Sequence, residues 1–141
     1  MVADRIKRGA YSKDQIRDIY GLVKMFLESG HYRRADVVVK GLINIAPEFC
    51  FGWLASSVVA ISLGDLEKAR DHARQALKIK EDLAEAMIVL VVTSLSLSDY
   101  ATAGTYLGEL RDRIEDGLVS EPNMLRLFRM QMVRYSQEFD S

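Results

Sequence analysis

The sequence predicts an all-α fold: three tandem helix–turn–helix units in an array, closed by a C-terminal capping helix. Three observations lead there. The first is a 34-residue step held without an insertion. Ile19, Trp53 and Met87 share one register position, and Gly30, Gly64 and Ser98 share another. Tyr32, Leu66 and Tyr100 follow, then Ala35, Ala69 and Ala103, then Val39, Ala73 and Leu107, then Leu42, Ala76 and Leu110. A fixed period kept at six positions marks a stacked-repeat architecture, because each unit buries its apolar face only against its neighbours. The second observation is that small residues recur where two helices would meet. The third is that start and stop signals for helices fall at the same place in each copy.

Each element follows in order. Residues 1–12 are an N-terminal extension. The first helix opens at "SKDQ", with Ser12 as N-cap and Gln15 three residues on, a capping-box pattern. It ends at "SGHY", where Gly30 suits the left-handed backbone of a helix stop. "GHYRRA", "GDLEKA" and "SDYATA" are the turns between paired helices. Ala35, Ala69 and Ala103 let the second helix of each unit approach the first, with Tyr32 or Leu66 plugging the space beneath the turn. Pro47 lies near the start of the next helix, where a missing N–H costs little. The units run 16–49, 50–83 and 84–117 within a repeat region 13–117. After Gly117, Ser120 and Pro122 start a further helix in 118–141. Leu125, Phe128, Met132, Tyr135 and Phe139 form its apolar stripe; Arg126, Arg129 and Arg134 lie off it and read as a solvated face. "VVVKGLINI" (37–45) and "MIVLVV" (87–92) have the β-branched content of strands. The register nevertheless puts both in helices, at a propensity cost of a few tenths of a kcal/mol per residue.

Composition narrows the function. The chain has 141 residues with net charge −1, so nothing points to nucleic acid or an anionic membrane. A lone cysteine, Cys50, excludes an internal disulfide and suits a reducing compartment. "MVADRIKRGAYSK" has no apolar core of a secretory signal, so a cytoplasmic location is expected. One stretch stands apart: from Ala86 to Ser98 there is no charge, yet the run is too short for a bilayer, which needs roughly 20 apolar residues. Something other than water must cover its second face.

The period, with Trp53, Gly64, Ala69 and Ala76 in order, resembles the tetratricopeptide repeat over residues 16–117. Glu81 and Glu115 replace the family's usual proline, and Ile19 and Met87 stand in the tryptophan position. The resemblance implies a right-handed superhelical array whose first helices line a concave groove. The second, fifth, ninth and twelfth positions of each unit face it: Arg17, Tyr20, Lys24 and Leu27; Phe51, Leu54, Val58 and Ile61; Glu85, Ile88, Val92 and Leu95. Seven of these, Phe51, Leu54, Val58, Ile61, Ile88, Val92 and Leu95, would form an apolar surface, and monomers seldom expose such a patch beyond a few hundred Å². Family members that grip a C-terminal carboxylate use Lys, Arg and Asn here, and units 2 and 3 offer none. The implied ligand is an apolar or amphipathic segment.

Catalytic chemistry is not indicated. His31 falls in a turn and His72 on an outer helix, each read as solvated or capping. Cys50 reads as a small buried hydrophobe. Glu81–Asp82 and Glu115–Asp116 sit at helix ends. There is no Gly-rich phosphate loop, HExxH or CxxC, and no cofactor or metal is expected. The size, repeat count and terminal helix resemble the tetratricopeptide-class chaperones of type III secretion. That resemblance implies a needle-subunit or translocator client, with a small co-chaperone as a further partner. Without a client, self-association through helices 50–63 and 84–97 is expected. The competing reading is a structural adaptor or homo-oligomeric scaffold using the same groove for assembly.

Overall fold

The computed structural model describes the backbone of residues 11–140 and the side chains of residues 11–138. Most of the 1–12 extension and the side chain of Phe139 therefore fall outside the described residues. Those residues form seven helices and no strand: α1 Lys13–Glu28, α2 Tyr32–Ile45, α3 Cys50–Ser62, α4 Leu66–Ile79, α5 Ala84–Ser96, α6 Tyr100–Glu115 and α7 Pro122–Asp140. Both β-branched segments are helical, in α2 and α5, because burial of the repeat's apolar positions outweighs their small propensity cost.

The capping box at α1 is complete: the Gln15 N–H donates to Ser12 Oγ at 3.1 Å and the Ser12 N–H to Gln15 Oε1 at 2.8 Å. The turns that pair α1 with α2, α3 with α4 and α5 with α6 share one geometry. The residue after each C-cap has positive φ: Gly30 at 79°, Gly64 at 83° and Ser98 at 61°. The next N–H then reaches back five residues at 2.8 Å, His31 to Phe26 O, Asp65 to Ala60 O and Asp99 to Ser94 O. Asp65 and Asp99 cap the following helices by accepting from the N–H groups of Lys68 and Thr102, each at 3.2 Å. His31 holds the equivalent place in the first turn without a side-chain cap, its ring lying edge-on to Phe26.

Ala35, Ala69 and Ala103 are fully buried, which is the close helix approach the register demands. Ala73 and Ala76 extend that contact along α4, also with no exposure. Tyr32 departs from expectation: at 38% exposed it does not plug the space under its turn. α7 is also rotated from its expected stripe. Met124 and Gln131 are its buried residues, while Leu125, Phe128, Met132 and Tyr135 are half-buried. The buried Gln131 amide is retained because Arg134 Nη1 donates to its Oε1 at 2.9 Å.

Helices touch in a simple order. Each packs on the next, and α1, α3, α5 and α7 also touch in series. The outer helices α2, α4 and α6 have no backbone contact with one another. Inner helices drawn together with outer helices splayed make a curved array, α1, α3, α5 and α7 lining its inside. One ion-pair group spans the outer side: Asp36 on α2 meets Lys40 at 2.9 Å and Lys68 of α4 at 3.6 Å. Burial opposes the charge on Asp36, but the two lysines outweigh it and hold its carboxyl below the usual range.

Candidate functional site

The inner face is where the sequence places a groove, and the structure splits its residues into two sets. Phe51, Val58 and Ile61 of α3 and Val92 of α5 are half-exposed, as are Tyr20 and Leu27 of α1, with Lys24 and Glu85 exposed beside them. Leu54, Ile88 and Leu95 are buried, at 8%, 5% and 6% exposure. The expectation of seven open apolar side chains is corrected on this point. Leu54 packs into a cluster with Leu83, Ala86, Val89 and Leu90 of the α5 segment. Ile88 and Leu95 pack into one with Met124, Phe128, Met132 and Tyr135 of α7. Each inner helix is thus covered by the next inner helix as well as by its own partner. This is how most of the uncharged run from Ala86 to Ser98 avoids water, Val92 and Leu97 staying half-exposed and Ser96 and Ser98 exposed.

One end of the face carries an aromatic group. Tyr20 stands edge-on to Phe49 at 5.6 Å and tilted to Phe51 at 5.9 Å, and Phe49 lies 5.7 Å from Phe51. Lys24 Nζ sits 5.4 Å above the Tyr20 ring and Lys80 Nζ 5.8 Å from the Phe51 ring, both within cation–π range. Burial raises the Tyr20 phenol's pKa, and the nearby Glu85 adds to it. Beside this group a cleft of about 380 Å³ opens between the starts of α3, α5 and α7, lined by Phe51, Lys80, Glu85, Arg113, Glu121 and Met124 among others. Lys80 and Arg113 were missed from the sequence, because the ends of the outer helices reach this rim only through the curvature, and Glu121 because it precedes α7, whose register no repeat fixes. The lining mixes both signs of charge and offers an anion no focused site.

His72 is corrected. It is half-buried, its Nδ1 lies 2.7 Å from Ser56 Oγ, and its ring stands edge-on to Trp53 at 5.1 Å. Trp53 Nε1 donates to Pro47 O at 2.8 Å, so the group joins α3, α4 and the preceding loop. Burial, then Lys68, lowers the His72 pKa, and Asp71, Asp65 and Asp36 only partly offset it. A serine near a histidine is the geometry of an activated nucleophile, but Ser56 is 1% exposed and no substrate can reach it. Cys50 is buried as expected, and burial pushes its thiol pKa up, away from a reactive thiolate. Among the described residues no cluster of three or more His, Cys, Asp or Glu could hold a metal. None of the described helices is long and apolar enough to cross a membrane.

Solved structures match this architecture. The TPR2AB-domain:pHSP90 complex of yeast Sti1 aligns with a TM-score of 0.79 at 16% identity, over 96% of this chain and 52% of that one. The fold is the tetratricopeptide-repeat fold. The TPR2B-domain:pHsp70 complex of yeast Sti1 aligns at 0.77 with 18% identity, over 87% of this chain and 97% of the other. The Sgt2 TPR domain from Aspergillus fumigatus aligns at 0.76 with 15% identity, over 95% and 87%. The chain spans about half the length of the first of these structures. No family model matches the sequence, and no curated protein does.

Proposed function

We propose that this chain is a non-catalytic protein-binding module that shelters an apolar or amphipathic segment of a client against its inner face. The observation that carries the reading is the half-exposed apolar strip Phe51, Val58, Ile61 and Val92 on α3 and α5, with charge only at its Phe51 end, where Lys80 and Glu85 stand. An amphipathic helix presents anchors at i, i+3, i+4 and i+7, which suits such a strip. The solved neighbours include complexes with pHSP90 and pHsp70. An acidic ligand is disfavoured here: the inner positions of α3 and α5 hold no Lys, Arg or Asn, and Glu85 stands among them. The array with its terminal helix favours a dedicated chaperone, and a secretion needle subunit or translocator is the client class its layout suggests. The adaptor reading uses the same strip for subunit assembly.

The test is a calorimetric titration with two helical peptides, one amphipathic with apolar anchors and one acidic. The amphipathic peptide should bind and the acidic one should not. Val58→Asp or Val92→Asp should abolish binding, since an unpaired carboxylate desolvated at an interface costs several kcal/mol. Arg74→Asp and Lys78→Asp, exposed on the outer helix α4, should change it little. Equal loss from the outer-helix variants would move the site off the inner face.

A further inference from the structure

The two ends of the array carry matched surfaces that the groove reading does not use. At the first end, α1 packs on α2 and α3, and its opposite face meets solvent. That face carries Asp14, Asp18, Leu22, Met25 and Glu28, all exposed, with Leu22 at 38% and Met25 at 53%. Their spacing of 4, 4, 3 and 3 residues places them on one helical stripe. The bases of α1 lie elsewhere: Lys24 over Tyr20, and Lys13 and Arg17 beside Phe49, all toward the inner side. At the other end, α7 packs on α5 and α6. Its opposite face carries Arg126, Arg129, Met130 and Val133, with Met130 at 54% and Val133 at 57% exposed, and Arg134 at its edge. From residue 122 to 137 the helix has no Asp or Glu. None of the three arginines makes an ion pair among the described residues; Arg126 donates to Asn123, and Arg134 to Gln131 and Ser96.

An acidic face with two exposed apolar residues at one end is thus complementary to a basic face with two exposed apolar residues at the other. We propose that copies of this chain associate end to end, the α7 face of one seated on the α1 face of the next. The contact is heterologous: different patches meet, so each added copy presents a fresh end and the assembly grows as a chain rather than closing as a two-fold dimer. Charge complementarity sets the order of the ends and makes association weaken as salt rises. The exposed apolar pairs at the centre gain burial that a solitary molecule leaves in water.

The experiment is sedimentation velocity on the full chain at low and high salt, with two charge-reversed variants. One carries Arg126→Glu and Arg129→Glu; the other carries Asp14→Arg and Asp18→Arg. All four positions are exposed, and circular dichroism checks that each variant keeps its helices. At low salt the wild type should form species of twice the single-chain mass or more, dispersing at high salt. Each variant alone has two ends of like sign and should sediment as a single chain. Mixed in equal amounts they should associate again, because each acidic end then finds a basic partner. A wild type that stays a single chain at every concentration overturns the proposal. So does association that survives either variant, or variants that stay apart when mixed. If the wild type is a single chain and removal of residues 1–10 makes it associate, the chain's own basic N-terminal segment occupies the α1 face, and the second copy is the wrong occupant.

Discussion

Ser98→Gly should stabilise the protein, and Gly64→Ser should destabilise it. The three turns share one hydrogen-bond geometry, but the left-handed position is glycine in two of them and serine in the third. A residue with a Cβ at φ of 61° carries a penalty of roughly 1–2 kcal/mol that glycine escapes. Glycine's extra freedom in the unfolded chain returns roughly 0.5–1 kcal/mol of that. The net gain for Ser98→Gly is then about 0.5–1 kcal/mol, a rise in Tm of about 2–4 °C for a chain of this size. Ser98 is exposed, and among the described residues its side chain has no hydrogen bond that the substitution would remove. A Cβ at Gly64 would meet nothing within 4 Å, so Gly64→Ser should lose a similar amount through the backbone alone. Urea unfolding followed by circular dichroism measures both. A neutral or destabilising Ser98→Gly would mean that its backbone is held at no cost, and the argument from φ would fail.

Two further outcomes follow from burial. Leu54→Glu should melt the array rather than leave it folded, because the lost burial is worth roughly 1.5–3 kcal/mol and a carboxyl beside Leu83 and Leu90 adds a desolvation cost; unchanged thermal melting would place Leu54 on the open face after all. Stability should fall as pH drops below about 6.5, His72's ordinary value: the unfolded chain takes up a proton there that the folded chain, with its lowered pKa, refuses until more acid conditions. His72→Gln should flatten ΔG between pH 7 and 5, a window above the one in which Asp36 loses its charge, and an unaltered slope would remove His72 as the cause.

The architecture was legible because it is a pattern of intervals. Ala35, Ala69 and Ala103 repeat at one step, and a fixed step leaves a helix pair little choice about which residues face inward. The β-branched runs misled only locally, since the register outranks propensity. The candidate site was legible in its positions but not in its exposure. Tyr20, Leu54 and Ile88 hold the same place in successive units, yet only Tyr20 remains half-exposed. Their difference comes from how far the next inner helix leans over them, a consequence of curvature that no interval encodes. The Ser56–His72 contact was hidden for a related reason: a serine and a histidine 16 residues apart on two helices meet only after the pair has packed. In α7 no second copy of the pattern existed to fix the register, so its buried seam could be read only approximately.

The order in which the helices touch has a consequence for how such a chain can grow. No helix contacts anything beyond its next two neighbours. The joint where α4 hands over to α5 is therefore self-contained, and residues 50–83 form one complete pitch of the sequence. Copying that stretch in tandem would create a joint whose two sides resemble those already in use, and would leave the first hairpin and α7 with partners close to their present ones. Length in this molecule is a modular variable. It can be added in whole units of 34 residues, each bringing one more inner helix and so a longer surface for whatever lies against it, without redesigning either end.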